Sequence, residues 1–319
     1  MEGPGRSCPL SYHYAPESLD RPAEIHATTL YVVGGLYGNQ QALAQLLLLA
    51  AAEPEPTRIV FNGDFNWFNS DDDSFRAINQ TVLQHLATRG NVETELAHGD
   101  EGAGCGCAYP DEVSDDEVAR SNFILDCLRA VAQRQPALAG ALAALPMTVV
   151  AQVGSARVAI VHGDAESLAG WGFGCAALGS SAGSMYAESL LTRARVDLIA
   201  SSHTCLPVLA RLHNGVIVNN GAAGMPNFRG TRYGVFTRIS LTPARKELRC
   251  YGTKLQDVFV DALRLEYAHE DFVREFFRRW PAGSAAYASY YQRIIAGPNY
   301  GIDQALSDEP PFQRKARVA

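Results

Sequence analysis

Four polar side chains stand just beyond short apolar runs. Asp64 follows the run Arg58–Asn62, Asn91 follows the segment ending at Gly90, His162 closes the run Arg157–Val161, and His203 closes the run ending at Ser202. Together they offer one carboxylate, one carboxamide and two imidazoles. That mixture suits a divalent transition metal of intermediate softness, Mn, Fe or Zn. Each residue alone has an ordinary explanation: Asp after a strand caps helices and forms turns, Gly-Asn is a turn, and a strand-end His is often a satisfied polar group. The metal reading rests on the set and its order.

Other residues could add to such a centre. Cys205 lies two positions beyond His203, and a thiolate ligates Zn or Fe well. It is equally a small buried apolar residue. Tyr37, among glycines, is a phenolate ligand or a packing residue. Cys105 and Cys107 sit in the glycine-rich loop Gly102–Ala108 as a metal pair, a redox pair or a close-packed loop. Cys175 is a weaker candidate of the same kind. His98 has the chemistry of a general acid near neutrality, or is a surface histidine. Arg89 offers a bidentate fork to phosphate oxygens, or a local salt bridge at the rim. Asn39 and Arg89 are the expected substrate-binding residues.

The elements that must position these groups read as an α/β fold. Thr29–Val33 has strand composition, ends in a glycine-rich turn, and leads into a helix expected from Gln40 to Ala52. A strand over 58–62 follows, then a helix expected over 74–87. Residues 91–114 read as a long loop, of the kind that is often functional. A helix is expected over 115–135, ending at Pro136. Short strands come next at 148–153, 157–161, 196–201, 215–219, 233–241 and 247–251. Helices are expected at 255–267 and 271–280. Residues 1–27 read as an N-terminal tail, 28–253 as the main domain, and 254–319 as a helical extension packed on it.

Composition narrows the partners. The chain is 47% apolar and 19% charged, which is that of a folded protein. The formal net charge of −7 argues against nucleic acid, because such proteins present a basic face. The longest apolar stretch, Ala42–Ala52, is too short to span a bilayer and reads as a buried helix. No export signal is visible, so a cytoplasmic setting with reduced thiols is expected. The oligomeric state is left open.

The ordered set resembles the calcineurin-like metallophosphoesterases, whose motifs run D-x-H, G-D, G-N-x-[DE], H-G and G-H-x-H. This chain supplies Gly63-Asp64, Gly90-Asn91-Val92-Glu93, His162-Gly163 and Ser202-His203-Thr204-Cys205 in that order. The resemblance covers about residues 29–252 and implies a four-layer α-β-β-α sandwich with additional C-terminal helices. It also implies that Asp64, Asn91, His162 and His203 hold one metal. The positions serving the other metal depart from the pattern: Gly35 stands for Asp, Tyr37 for His, and Cys205 for the final His. The losses fall on one metal and spare the other, which implies a remodelled first site holding one ion or two. Val92 stands where many members carry a proton-donating His.

The function implied is hydrolysis of a small phosphorylated substrate, a phosphomonoester or phosphodiester, by metal-activated water, with Asp64, Asn91 and His98 as catalytic residues. Two alternatives stand beside it. One is a non-catalytic or weakly active binding protein on the same fold. The other is a metal or redox centre built from Cys105, Cys107 and Cys205.

Overall fold

The computed structural model describes residues 3–98 and 102–307, with the side chains of His98 and Ser307 left outside that description. In chain order the elements begin with strand β1 (Ile25–Ala27), β2 (Thr29–Val33), helix α1 (Gln40–Ala51), β3 (Thr57–Asn62), α2 (Asp72–Val82), β4 (Leu86–Thr88) and α3 (Asn91–His98). They continue with α4 (Asp115–Gln133), α5 (Pro136–Ala143), β5 (Thr148–Val153), β6 (Ala156–Val161), α6 (Cys175–Leu178), α7 (Ser181–Ala194) and β7 (Leu198–Ser201). The last are β8 (Val208–Arg211), β9 (Val216–Asn219), β10 (Gly234–Ser240), β11 (Arg249–Leu255), β12 (Val258–Leu265), α8 (His269–Arg279), α9 (Ala285–Ala296) and β13 (Leu306–Ser307).

Two sheets result. One has the order β1-β5-β6-β7-β9-β8-β13, the other β11-β12-β10-β2-β3-β4. Side-chain alternation along each strand explains the layering. In β2, Leu30 and Val32 enter the core between the sheets, while Tyr31 and Val33 enter the core under the helices. In β6, Val158 and Ile160 face the inter-sheet core, while Ala159 and Val161 face α7. Central strands are therefore apolar on both faces, as strands covered on both sides must be. The product is the expected α-β-β-α sandwich.

Several local expectations change. The helix expected over 74–87 ends at Val82, and Leu86–Thr88 becomes β4, parallel to β3. The expected loop 91–114 opens with α3. Residues 255–267, expected helical, instead hold the end of β11, a turn and the whole of β12 (Val258–Leu265), which is hydrogen-bonded to β10 and β11 on its two edges. Tertiary pairing there overrides helix propensity, and the turn into it uses Gln256 at φ 52°. The domain boundary expected at residue 254 thus falls inside one sheet. Residues 3–27 are no tail: β1 pairs with β5, and Tyr12 is buried with its hydroxyl bonded to Glu95. Long-range bonds hold that segment, which is why it lacks periodicity. No helix among the described residues is long and apolar enough to cross a membrane.

Candidate metal centre and pocket

The strands deliver their ligands at one edge. Asp64 follows β3, Asn91 opens α3 just past β4, and His162 and His203 follow the parallel strands β6 and β7. Asn62, the last residue of β3, stitches the two sheets beneath them. Its amide donates to the Val161 carbonyl at 2.8 Å and to Ser202 Oγ at 2.9 Å, and its side-chain oxygen accepts from Thr88 Oγ1 at 2.9 Å.

Ligand atoms of Asp64, His162 and His203 lie within 4.8 Å of one another, and all three residues are buried. His162 Nε2 is 3.3 Å from Asp64 Oδ2, 3.2 Å from Asn91 Oδ1 and 3.3 Å from His203 Nδ1. Backbone carbonyls decide which atoms face inward. The Asn91 amide donates to Cys105 O at 2.9 Å, so its oxygen turns to the centre. His162 Nδ1 lies 2.8 Å from Asn62 O, and His203 Nε2 lies 3.0 Å from Cys107 O. Each ring spends one N–H on a carbonyl and aims its other nitrogen at the shared point. Carbonyls that fix ring tautomers in this way are a recurring feature of metal sites.

Four acceptor atoms therefore converge with no neutral donor among them. One positive charge at that point satisfies them: a proton on His162 Nε2 is one such charge, and a divalent cation is another. Burial acts to lower His162, but the adjacent Asp64 carboxylate overrides it and holds the ring above its ordinary value. Burial, with His162 alongside, pushes His203 down to about 4, so that ring offers a lone pair at neutral pH. The donor set fits a divalent transition metal.

The loops carrying these ligands are tight. Asp64 sits at φ 55°, a left-handed conformation that is uncommon outside glycine. A Cβ on Gly63 would lie 2.5 Å from His162 Nδ1, and one on Gly90 would lie 2.3 Å from Asp64 Oδ1. Glycine is required at both. Glu93, fully buried, clamps the two loops together: its carboxylate accepts from the backbone N–H groups of Asp64, Phe65 and Gly90 at 2.7, 3.1 and 3.1 Å, and from the Asn66 amide at 3.2 Å.

Above the ligands lies a cavity of about 210 Å³, lined among others by Tyr37, Asp64, Trp67, Asn91, Val92 and Cys107. Tyr109, Trp171, His203, Cys205, Tyr290 and Arg293 complete most of its wall. Tyr37 and Cys205 are at this pocket but bonded to each other, the Tyr37 hydroxyl donating to Cys205 Sγ. The Cys205 thiol in turn donates to His203 O at 3.1 Å. Burial pushes both groups up, so they stand as phenol and thiol at neutral pH.

Of the remaining expected residues, Cys107 lines the pocket while Cys105 is wholly buried; their carbonyls hold Asn91 and His203, and the Cys107 sulfur adds a longer contact to the Asn91 amide at 3.6 Å. Among the described residues, the three cysteines 105, 107 and 205 form no cluster of metal-ligating atoms. Asn39 is turned to structure: its oxygen caps α1 at Ala42 N, and its amide donates to Gly224 O at 3.0 Å. The Arg89 guanidinium reaches the Ala143 carbonyl at 3.4 Å and does not line the pocket. Cys175 Sγ lies 3.5 Å from Gln304 O, away from the pocket. The His98 side chain lies outside the described residues.

Sequence reading missed Asn62, Trp171, Tyr290 and Arg293. An Asn inside the otherwise apolar run of β3 was a signal for the first. Arg293 and Tyr290 come from α9, far along the chain, and nothing local marks them.

No protein-family model matches the chain, and no curated relative does. Solved structures do. A metallophosphoesterase from Sphaerobacter thermophilus superposes with a TM-score of 0.55 at 16% identity, covering 85% of this chain and 100% of that one. The chain has a calcineurin-like metallophosphoesterase fold. A hypothetical protein from Pyrococcus horikoshii OT3 is similar as well, with a TM-score of 0.54, 15% identity, and coverage of 85% and 99%. In this metallophosphoesterase fold, the buried Asp64, His162 and His203 group lies where strands from both sheets end.

Proposed function

We propose that the chain is a metal-dependent phosphoesterase working with a single divalent ion. The observation that carries this reading is the inward turn of four acceptor atoms, three of them set by backbone carbonyls. Structures that spend three carbonyls to aim lone pairs at one buried point leave a cation as the natural occupant. The fold shared with metallophosphoesterases supports the same reading.

Asp64, Asn91, His162 and His203 would hold the ion, with Mn, Fe or Zn compatible with two nitrogens and two oxygens. When bound, it supplies Lewis acidity toward a phosphoryl oxygen and toward water. The chain's own residues do the rest. Asp64 contributes the negative charge of the site, and its Oδ1 is held by the Val92 N–H at 3.3 Å. Arg293 brings a fixed positive charge to the same pocket, suited to an anionic substrate oxygen. Trp67, Trp171 and Tyr290 restrict water around the reacting group. Tyr37 and Cys205, bonded to each other, fill the neighbouring volume, which supports one ion over two.

The test is metal analysis of the purified protein together with turnover of phenyl phosphate. About one Mn, Fe or Zn per chain, with activity lost on chelation and in Asp64→Asn, is the expected result. Full turnover by metal-free protein would exclude the mechanism. Tight metal and phosphate binding with no turnover on any ester would favour a binding protein on this fold.

A further inference from the structure

The walls of the pocket carry more information than the metal centre beneath them. Its volume of about 210 Å³ lies below the roughly 300–1,000 Å³ of sites that take drug-sized ligands. Trp171 is anchored by its indole N–H on Cys107 O at 3.0 Å and stands edge-on to the His203 ring at 5.4 Å. Tyr109 lies beside it, ring centroids 5.9 Å apart. Trp67 and Tyr290 form a second pair at 6.3 Å. Flat apolar faces this close to a metal centre fit a flat substrate group.

Two polar features give that group an orientation. Trp67 is only 3% exposed, and its indole N–H makes no well-formed hydrogen bond among the described residues, its interaction with the Tyr290 hydroxyl being a loose one. Buried donors without well-formed bonds are rare enough to need a reason, and a ligand acceptor is one. Arg293 spends Nη2 on Cys205 O at 2.7 Å and Nε on Pro226 O at 3.4 Å, which among the described residues spares Nη1 for an anion.

The floor of the pocket adds a chemical limit. Val92 lines it next to Asp64 and has no proton to give, while the Tyr37 phenol and the Cys205 thiol already spend their protons on Cys205 Sγ and His203 O. An ester whose leaving oxygen departs as a stable anion suits such a floor. Phenols ionise near pH 10, against about 15.7 for water, so an aryl oxide leaves far more readily without protonation.

Building on the phosphoesterase reading, we propose that the site selects phosphate monoesters of small planar aromatic alcohols. The ring rests against Trp171 and Tyr290, and an anionic phosphoryl oxygen pairs with Arg293. In the reaction, water adds its hydroxyl to phosphorus. The bond from phosphorus to the aryl oxygen breaks, with both electrons going to that oxygen. The proton released by water ends on the aryl oxide, giving inorganic phosphate and a phenol.

The test separates this inference from the activity. Phenylphosphonate and methylphosphonate, which cannot be hydrolysed, are titrated into full-length protein with Mn²⁺, using Trp fluorescence as the signal. Phenylphosphonate is expected to bind about 10-fold tighter, in line with aromatic stacking plus burial of the ring. Trp171→Ala and, separately, Tyr290→Ala should bring the ratio of the two affinities toward one, while Arg293→Met weakens both ligands together. If Trp171→Ala does not fold, Tyr290→Ala decides. Equal affinities for the two phosphonates in the unaltered protein overturn the assignment. A clear aryl preference without turnover of phenyl phosphate or glycerol 2-phosphate would sink the phosphoesterase reading and leave the aromatic pocket standing. Turnover of both esters without that preference would do the reverse.

Discussion

The ring of Tyr37 folds back over Gly35, so that a Cβ built on Gly35 would meet the ring's Cζ at 2.4 Å and its hydroxyl oxygen at 2.8 Å. A side chain at 35 and this tyrosine cannot share the space. Gly35→Asp alone should therefore cost about 1–3 kcal/mol from overpacking and add no second metal. The combined change Gly35→Asp, Tyr37→His, Cys205→His removes the obstruction and supplies three new donors. His tolerates the left-handed backbone of position 37 better than most residues. Elemental analysis should read about one metal per chain in the unaltered protein and two in the triple variant.

Glu93 touches no ligand atom of the centre, yet it fixes the backbone of both Asp64 and Gly90. Glu93→Gln replaces one acceptor oxygen with a donor that faces N–H groups. Metal affinity should fall about 10–100-fold, the usual effect of losing a supporting partner. Calorimetric titration with Zn²⁺ reads it directly. Unchanged affinity would show that the clamp is not needed to place Asp64.

The thiols of Cys105 and Cys107 are expected to be dispensable for the ion, because their carbonyls make the close contacts to Asn91 and His203, and the one thiol contact, Cys107 Sγ to the Asn91 amide, is long at 3.6 Å. A Cys105→Ser, Cys107→Ser variant should keep metal affinity within a few-fold. Co²⁺-substituted protein should show no thiolate charge-transfer band. Such a band would restore a sulfur-ligated centre.

Arg238 is buried at 2% side-chain exposure and pairs with Glu53 at 2.7 Å. Burial acts to raise Glu53, but Arg238 and Tyr31 outweigh it and hold the carboxyl below its ordinary value. Its contribution is therefore present above the unfolded carboxylate value and is lost as pH falls through the lower folded one. Glu53→Gln should cost about 3–5 kcal/mol near neutrality, since it leaves a buried guanidinium poorly paired. Urea melts at pH 7 and at pH 3 should show the gap between the two proteins closing in acid.

Asp64, His162 and His203 were readable because each follows an apolar run of strand composition, and a strand of that kind must end at a sheet edge. The same reading failed at 255–267, where pairing with β10 and β11 decided the conformation and the local pattern did not. It could not find Cys105 O, Cys107 O or Asn62 O, since a backbone carbonyl has no residue type to announce it. Arg293 and Tyr290 stayed hidden for a different reason: α9 reaches the pocket only through the completed fold. Asn39 was misassigned because a helix cap and a ligand-binding amide look alike in one dimension.

The carbonyl-bearing loop is itself moored to the start of the chain. Gly5 N donates to Ala103 O, Tyr109 N donates to Gly5 O, and the Asn122 amide holds Pro4 O while its oxygen holds Cys105 N. The opening residues thus act as guy-ropes for a centre far downstream. Clipping by a protease, or a bulky fusion at that end, is therefore expected to weaken binding of the proposed ion without touching any ligand.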